Sequence, residues 1–160
     1  LISCLYQASG ISGMIYGQEL DIENENKKLS IDKLNTIHHY KTGKLLSCAF
    51  QLGGLIASPQ DVKVLKEIGY KVGLAFQIQG LAFQIRDDIL DVISDSKTLG
   101  KPVGSDASNH KETYTTLIGV EASQKEVDKL FKEAIELVYS LSINHGLIIE
   151  IIELLWKRVS

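Results

Sequence analysis

Cysteine, proline and methionine are scarce in this 160-residue chain, which has two, two and one of them. The cysteines, Cys4 and Cys48, stand far apart and outside any Cys-x-x-Cys or Cys/His ligand spacing. They offer no ligand set for structural zinc, suit a reducing compartment and read as small core residues. Positive charge is not in excess either. Seventeen Lys and Arg face twenty Asp and Glu for a net charge of -3, and the basic residues are spread along the chain, which excludes nucleic acid as the expected partner. No uninterrupted apolar run approaches the roughly eighteen residues of a membrane span, since even Leu147–Trp156 contains Glu150 and Glu153. The amino-terminal stretch lacks a basic leader with a small-residue cleavage site, so a soluble, cytoplasmic protein is expected. What is present, 44% hydrophobic and 23% charged residues, is enough for about one globular domain. The chain opens at Leu1 inside an apolar helical stretch, so further sequence is expected to precede it.

With two prolines and long stretches of apolar residues at spacings of three and four, the pattern predicts an all-α protein. A first helix is expected over Leu1–Leu20, with Gly10, Gly13 and Gly17 close to one face where another helix can approach. A polar loop is expected next, at Asp21–Lys28. Ser30 is a plausible N-cap for a short helix ending near Lys41–Gly43, although Lys33 at the third position denies it a full capping box. A third helix over Lys44–Ile56 stops before Ser58–Pro59, and Pro59 suits the first turn of a long fourth helix to about Val92. The Gly-, Pro- and Asp-containing stretch Ser94–His110 reads as a loop. Helices over Tyr114–Gly119, Glu121–Leu141 and Leu147–Arg158 complete the chain, with no sign of a second domain.

One internal repeat lies in the fourth helix: GLAFQIQ at Gly73–Gln79 runs directly into GLAFQIR at Gly80–Arg86. Two copies fall short of the three or four heptads of a coiled coil and read instead as a local duplication. Seven residues at about 100° each are nearly two turns, so a duplication keeps the apolar face while shifting the residues beyond it by roughly 10 Å.

Beyond the repeat comes an acidic cluster, Asp87, Asp88 and Asp91. On a helix Asp91 lies one turn beyond both others, so three carboxylates converge. By itself the cluster is either a solvated helix face or a site for a hard divalent cation such as Mg²⁺, completed by water and phosphate oxygens. Lys97, Lys101 and Lys111 come after it, and a second basic element, His38-His39-Tyr40-Lys41-Thr42-Gly43-Lys44, lies upstream at a helix junction. Carboxylates beside lysines form the combination that holds a diphosphate.

These residues resemble the trans-isoprenyl diphosphate synthases, the polyprenyl synthetases that include farnesyl and geranylgeranyl diphosphate synthases. GMIYGQELD at Gly13–Asp21, HHYKTGKLL at His38–Leu46, GLAFQIRDDILD at Gly80–Asp91, LGKPVGSD at Leu99–Asp106 and NHKETY at Asn109–Tyr114 occur in that family's order. The resemblance implies an all-α isoprenoid-synthase-like bundle, of which residues 1–160 are the carboxyl-terminal part of a single domain. It also implies condensation of an allylic diphosphate with isopentenyl diphosphate. In this reading Asp87 and Asp91 ligate Mg²⁺, Asp88 acts beside them and Asp106 meets the metal from further out. Lys41 and Lys101 hold the allylic diphosphate, Lys111 meets the metal–diphosphate cluster, and Gln18, Thr42, Phe83 and Gln84 line the reacting end. Self-association as a homodimer is expected through the glycine-bearing first helix.

Two departures accompany the resemblance. The family's other aspartate-rich motif and the arginines that bind isopentenyl diphosphate are not in these 160 residues, so the chain alone is expected to lack activity. The heptad duplication admits two registers. The expected one keeps Asp87–Asp91 in place and lets the Pro59 connection absorb two extra turns, because loops take added length more cheaply than a diphosphate site takes displacement. A catalytically silent or regulatory copy of the fold is the alternative function. A class I terpene cyclase fits less well, since no N/D-D-x-x-S/T-x-x-x-E pattern comes after Asp91.

Overall fold

A computed structural model describes residues 1–78, 80 and 113–157, and among them every regular element is helical. The elements are α1 (Ile2–Ser9), α2 (Met14–Glu23), α3 (Ile31–His38), a π-helical turn (His39–Gly43) and α4 (Lys44–Ala57). Next in the chain are a 3₁₀ turn (Pro59–Asp61), α5 (62–78), α6 (Tyr114–Ile118), α7 (Val120–Val138) and α8 (Gly146–Lys157).

The expected first helix is two helices. Gly10 leaves the helical conformation at ψ -163° as its amide bonds Tyr6 O, and Gly13 turns the chain into α2. Gly-Ile-Ser-Gly is poor helix-forming sequence, so little opposes the break. Asp21, expected to open a loop, is a buried residue of α2, and the chain turns only at Asn24–Lys27, where Asn26 takes φ 60°. Ser30 caps α3 as expected, its hydroxyl accepting from Lys33 N at 3.2 Å. The helix expected to end near Lys41–Gly43 instead runs through the π-helical turn straight into α4.

The core gathers α3, α5, α6, α7 and α8 around Leu34, Ile68, Val72, Ile78, Phe131, Val138 and Ile152, all but closed to solvent. Phe131 stacks on Trp156 at 5.8 Å between ring centroids, and Trp156 Nε1 donates to Asp128, which seats α8 on α7. Lys71 of α5 donates to Glu133 of α7 at 2.7 Å, holding that carboxyl below its ordinary range. On its other side α5 meets α4 at glycines: a Cβ on Gly69 would lie 2.6 Å from Leu46 O and 2.8 Å from Phe50 Cδ2.

Asp61 ties the α4–α5 connection to the α7–α8 turn. Its carboxylate accepts from Ser58 Oγ (2.5 Å), Ser142 Oγ (2.6 Å) and Ser142 N (3.2 Å). The Ser142 hydroxyl, then that of Ser58, holds the carboxyl below its usual value. A lowered folded pKa stabilises above the unfolded value, about 3.9, and that stability is lost as pH falls through the folded pKa. Asp61→Asn is therefore expected to melt below the parent at pH 7, with the gap narrowing as pH drops below about 4. Thermal melts from pH 7 to pH 3 check this; a gap that stays constant or widens in acid would refute it.

Candidate functional site

Lys41 and Thr42 lie on the π-helical turn between α3 and α4. A π turn inserts one extra residue into the helical ladder and so re-aims the side chains it carries. Lys41 Nζ is 2.6 Å from Asp21 Oδ2 on α2, an ion pair whose carboxylate is buried and whose ammonium is partly open. Gly17 makes this approach possible: a Cβ there would lie 2.2 Å from Lys41 N and 2.6 Å from its Cα. Of the three glycines expected to admit a neighbouring element, Gly17 therefore does so for the π turn, while Gly13 packs on the carbonyl of Ala8 in the α1–α2 turn.

Beside this pair opens a cavity of about 660 Å³, lined by Lys41, Thr42 and Gln18, the apolar Met14, Ile15 and Ile22, and the carboxylates Glu19 and Glu23. Three of the sequence-predicted residues thus share one cavity. Earlier on the same π turn, His39 meets Tyr40 and Tyr70 edge-on and lines a separate cavity, and burial, then the charge of Lys44, lowers its pKa. Lys44 itself lies over the Tyr40 ring, 4.8 Å from the centroid.

Thr42 Oγ1 donates to Gln77 Oε1 at 2.5 Å. Gln77 belongs to the first heptad copy, whereas the sequence pattern led to the second copy's Gln84 at the reacting end. Gly73 of the same copy sits against Gly43, where a Cβ would be 3.1 Å from the Gly43 Cα, and Ala75 and Ile78 are in the core. The expectation that the Pro59 connection absorbs two extra turns is therefore corrected: Pro59–Asp61 is one 3₁₀ turn, and α5 begins directly after it. The reason lies upstream of the repeat. Seating the second copy would move each residue of α5 by seven places, bringing Phe76 to the position of Gly69, where even a methyl meets the Leu46 carbonyl at 2.6 Å. It would also bring Gln79 into the core position of Val72.

Phe83, Gln84, Asp87, Asp88, Asp91, Lys101, Asp106 and Lys111 lie outside the described residues. Among the described residues no three His, Cys, Asp or Glu side chains come together to hold a metal ion. Sequence reasoning missed Asp21 as the partner of Lys41 and Gln77 as the partner of Thr42. The first is hidden because Asp21 reads as a loop residue. The second was available in the repeat, since each copy offers a glutamine, and Gly69 is the residue that decides between them.

The polyprenyl synthetase family model matches residues 4–79 and 80–142, dividing at the junction of the two heptads. The chain belongs to the polyprenyl synthetase family. It is 41% identical over 143 residues to farnesyl diphosphate synthase of Micrococcus luteus, covering 88% of this chain and 47% of that protein. Against farnesyl diphosphate synthase of Bacillus subtilis it is 36% identical over 160 residues, covering 99% of this chain and 52% of the relative. The fold is similar to that of a Helicobacter pylori geranyltransferase crystallised with magnesium and isoprenyl diphosphate. That comparison gives a TM-score of 0.66 at 32% identity, covering 98% of this chain and 50% of the other. The chain thus spans about half the length of the curated relatives it matches. The all-α polyprenyl synthetase fold expected from the sequence is borne out. No helix among the described residues is long and apolar enough to cross a membrane. The unbroken match over 4–79 agrees with the seating of the first copy, because it runs through Pro59 and the whole of α5 without interruption.

Proposed function

We propose that this chain supplies the carboxyl-terminal part of one polyprenyl synthetase domain and with it one side of a trans-prenyltransferase site. The observation that carries the reading is the convergence of Lys41, Thr42 and Gln18 on one cavity with an apolar wall. The reaction joins an allylic diphosphate to isopentenyl diphosphate. The allylic C–O bond breaks, diphosphate leaves, the alkene of isopentenyl diphosphate forms the new C–C bond, and a proton is lost.

Charge then gathers on the leaving diphosphate, and a lysine held near it stabilises that charge as it develops. Asp21 holds the Lys41 ammonium at the cavity edge, where it can turn to diphosphate oxygens without a search through rotamers. Met14, Ile15 and Ile22 give the carbocation apolar neighbours that keep water away. Thr42, whose hydroxyl donates to Gln77, lies at the same edge. Lys101 and Lys111 are assigned to substrate from their motifs, as are Phe83 and Gln84, although Gln77 of the first copy already stands at Thr42; Asp87, Asp88, Asp91 and Asp106 are assigned to Mg²⁺. When bound, Mg²⁺ neutralises the diphosphate and eases its departure. The partners proposed are the two diphosphates and a second copy of the chain, in the cytoplasm; exposed Ile2, Leu5 and Tyr6 on α1 support burial of that helix in an assembly.

The seven-residue repeat favours a second reading, a catalytically silent copy of the same fold. One experiment separates the two. The chain is joined to the amino-terminal half of the Bacillus subtilis relative and assayed with dimethylallyl diphosphate, isopentenyl diphosphate and Mg²⁺. Prenyl product is expected from the joined protein, at a higher rate once Gly80–Arg86 is excised, and none from the 160-residue chain alone, with Lys41→Ala reducing turnover by about 100-fold or more. A folded chimera without product would leave the silent copy standing, and turnover by the chain alone would overturn the division of the site.

A further inference from the structure

The two cysteines are 44 positions apart in sequence, yet α1 and α4 bring Cys4 Sγ to 3.1 Å from Cys48 Sγ. A disulfide needs about 2.05 Å, so closure of the pair asks for a movement of roughly 1 Å. Their surroundings differ. Cys48 is buried, and desolvation, reinforced by the hydrogen bond with Cys4, pushes its thiol up to about 11. Cys4 is half-buried, donates to Gln51 Oε1 at 3.3 Å, and lines an open cavity of about 500 Å³. Lys44, Lys63, Lys66 and Glu67 also line that cavity, through which a small oxidant reaches Cys4. This cavity and the one beside Lys41 and Thr42 have no lining residue in common.

We propose that Cys4 and Cys48 form a modification site, a reversible intramolecular disulfide made by reaction with a peroxide. The Cys4 thiolate attacks one peroxide oxygen, the O–O bond breaks, and the departing hydroxide takes a proton to become water. Cys4 is left as the sulfenic acid. The Cys48 sulfur then attacks the Cys4 sulfur; the S–O bond breaks, and the released hydroxide carries off the Cys48 proton as a second water. Two thiols lose two electrons, and one peroxide gains them. A dithiol reductant reverses the product by exchange. The bond ties α1 to α4 and holds in place the helix that carries the exposed Ile2 and Tyr6.

The full 160-residue chain, reduced and then treated with hydrogen peroxide, is alkylated with iodoacetamide and weighed intact. The expected product is a monomer two hydrogens lighter that takes up no label. Dithiothreitol should return two labelling sites. Oxidation should raise Tm by roughly 5–10 °C, because the bond closes a long loop. Cys4→Ser and Cys48→Ser, confirmed as folded by circular dichroism, should each abolish the mass loss and the Tm rise. Sulfinic acid at Cys4 with Cys48 still open to alkylation, disulfides only between chains, or no oxidation at all would each overturn the proposal. Because the parent chain alone reads the outcome, the test stands even if a serine variant misfolds.

Discussion

Gly17→Ala is expected to lower the stability of the chain by about 2–3 kcal/mol, while the same change at Gly53 raises it by about 0.5–1 kcal/mol. Both glycines are inside helices, where alanine is the better former, so local propensity predicts a gain at each. Space decides the sign. The added methyl at Gly17 would lie 2.2 Å from Lys41 N, 2.6 Å from Lys41 Cα and 2.6 Å from the Tyr40 carbonyl carbon. Every one of these is a backbone atom, so no side chain can rotate out of the way; α2 or the π turn has to move. A Cβ at Gly53 meets nothing within 4 Å. Moving α2 also parts Asp21 from Lys41, and the same shift opens the cavity at Gln18. Urea unfolding of the two variants beside the parent measures the pair of effects. A stabilised Gly17→Ala would mean that α2 does not rest on the π turn as described.

Much of this was legible beforehand, and the reasons differ by residue. Ser30 announced α3 because capping is a local interaction that a four-residue window contains. The helix over Gly146–Lys157 was equally plain from its apolar periodicity. The sequence puts Gly10 and Gly13 on a contact face, but they break the helix, where Gly-Ile-Ser-Gly resists the break little and α1 packs on α4. The π turn at His39–Gly43 was invisible, since nothing in HYKTG distinguishes a π turn from the end of one helix and the start of another. It forms where α2 presses on the turn through Gly17, a contact between residues more than twenty positions apart. Lys41 and Thr42 stand out as part of a basic element at a helix junction, and the place of Gln18 beside them comes from the family resemblance. Asp21 and Gln77 were not, because each is defined by a partner that only the fold supplies.

Excising Gly80–Arg86 should tighten binding of Mg²⁺ with inorganic pyrophosphate to the full chain by about tenfold or more. The seated copy, Gly73–Gln79, already places Gln77 on Thr42 and Gly73 on Gly43, so those contacts need nothing from the second copy. Excision joins Gln79 directly to Asp87 and gives GLAFQIQDDILD, so the acidic cluster comes directly after the seated copy, as it comes after the second copy in the parent. A heptad of helix is about 10 Å long, comparable to the Debye length at physiological salt, so it is the difference between charges that share a ligand and charges that are screened from each other. Lys41 and the carboxylates can hold one pyrophosphate and its metal only within that distance. The alternative excision, Gly73–Gln79, leaves a chain that differs from the first only by Arg in place of Gln before Asp87. Both variants should therefore bind alike, which separates the spacing from the identity of the copy removed. Lys41→Ala in the excised chain should return the affinity to the parent level. Titration calorimetry with pyrophosphate at fixed Mg²⁺ reads all four proteins. Equal binding by parent and excised chains would show that the extra heptad does not separate the lysine from the acidic cluster, and that the repeat is a neutral lengthening.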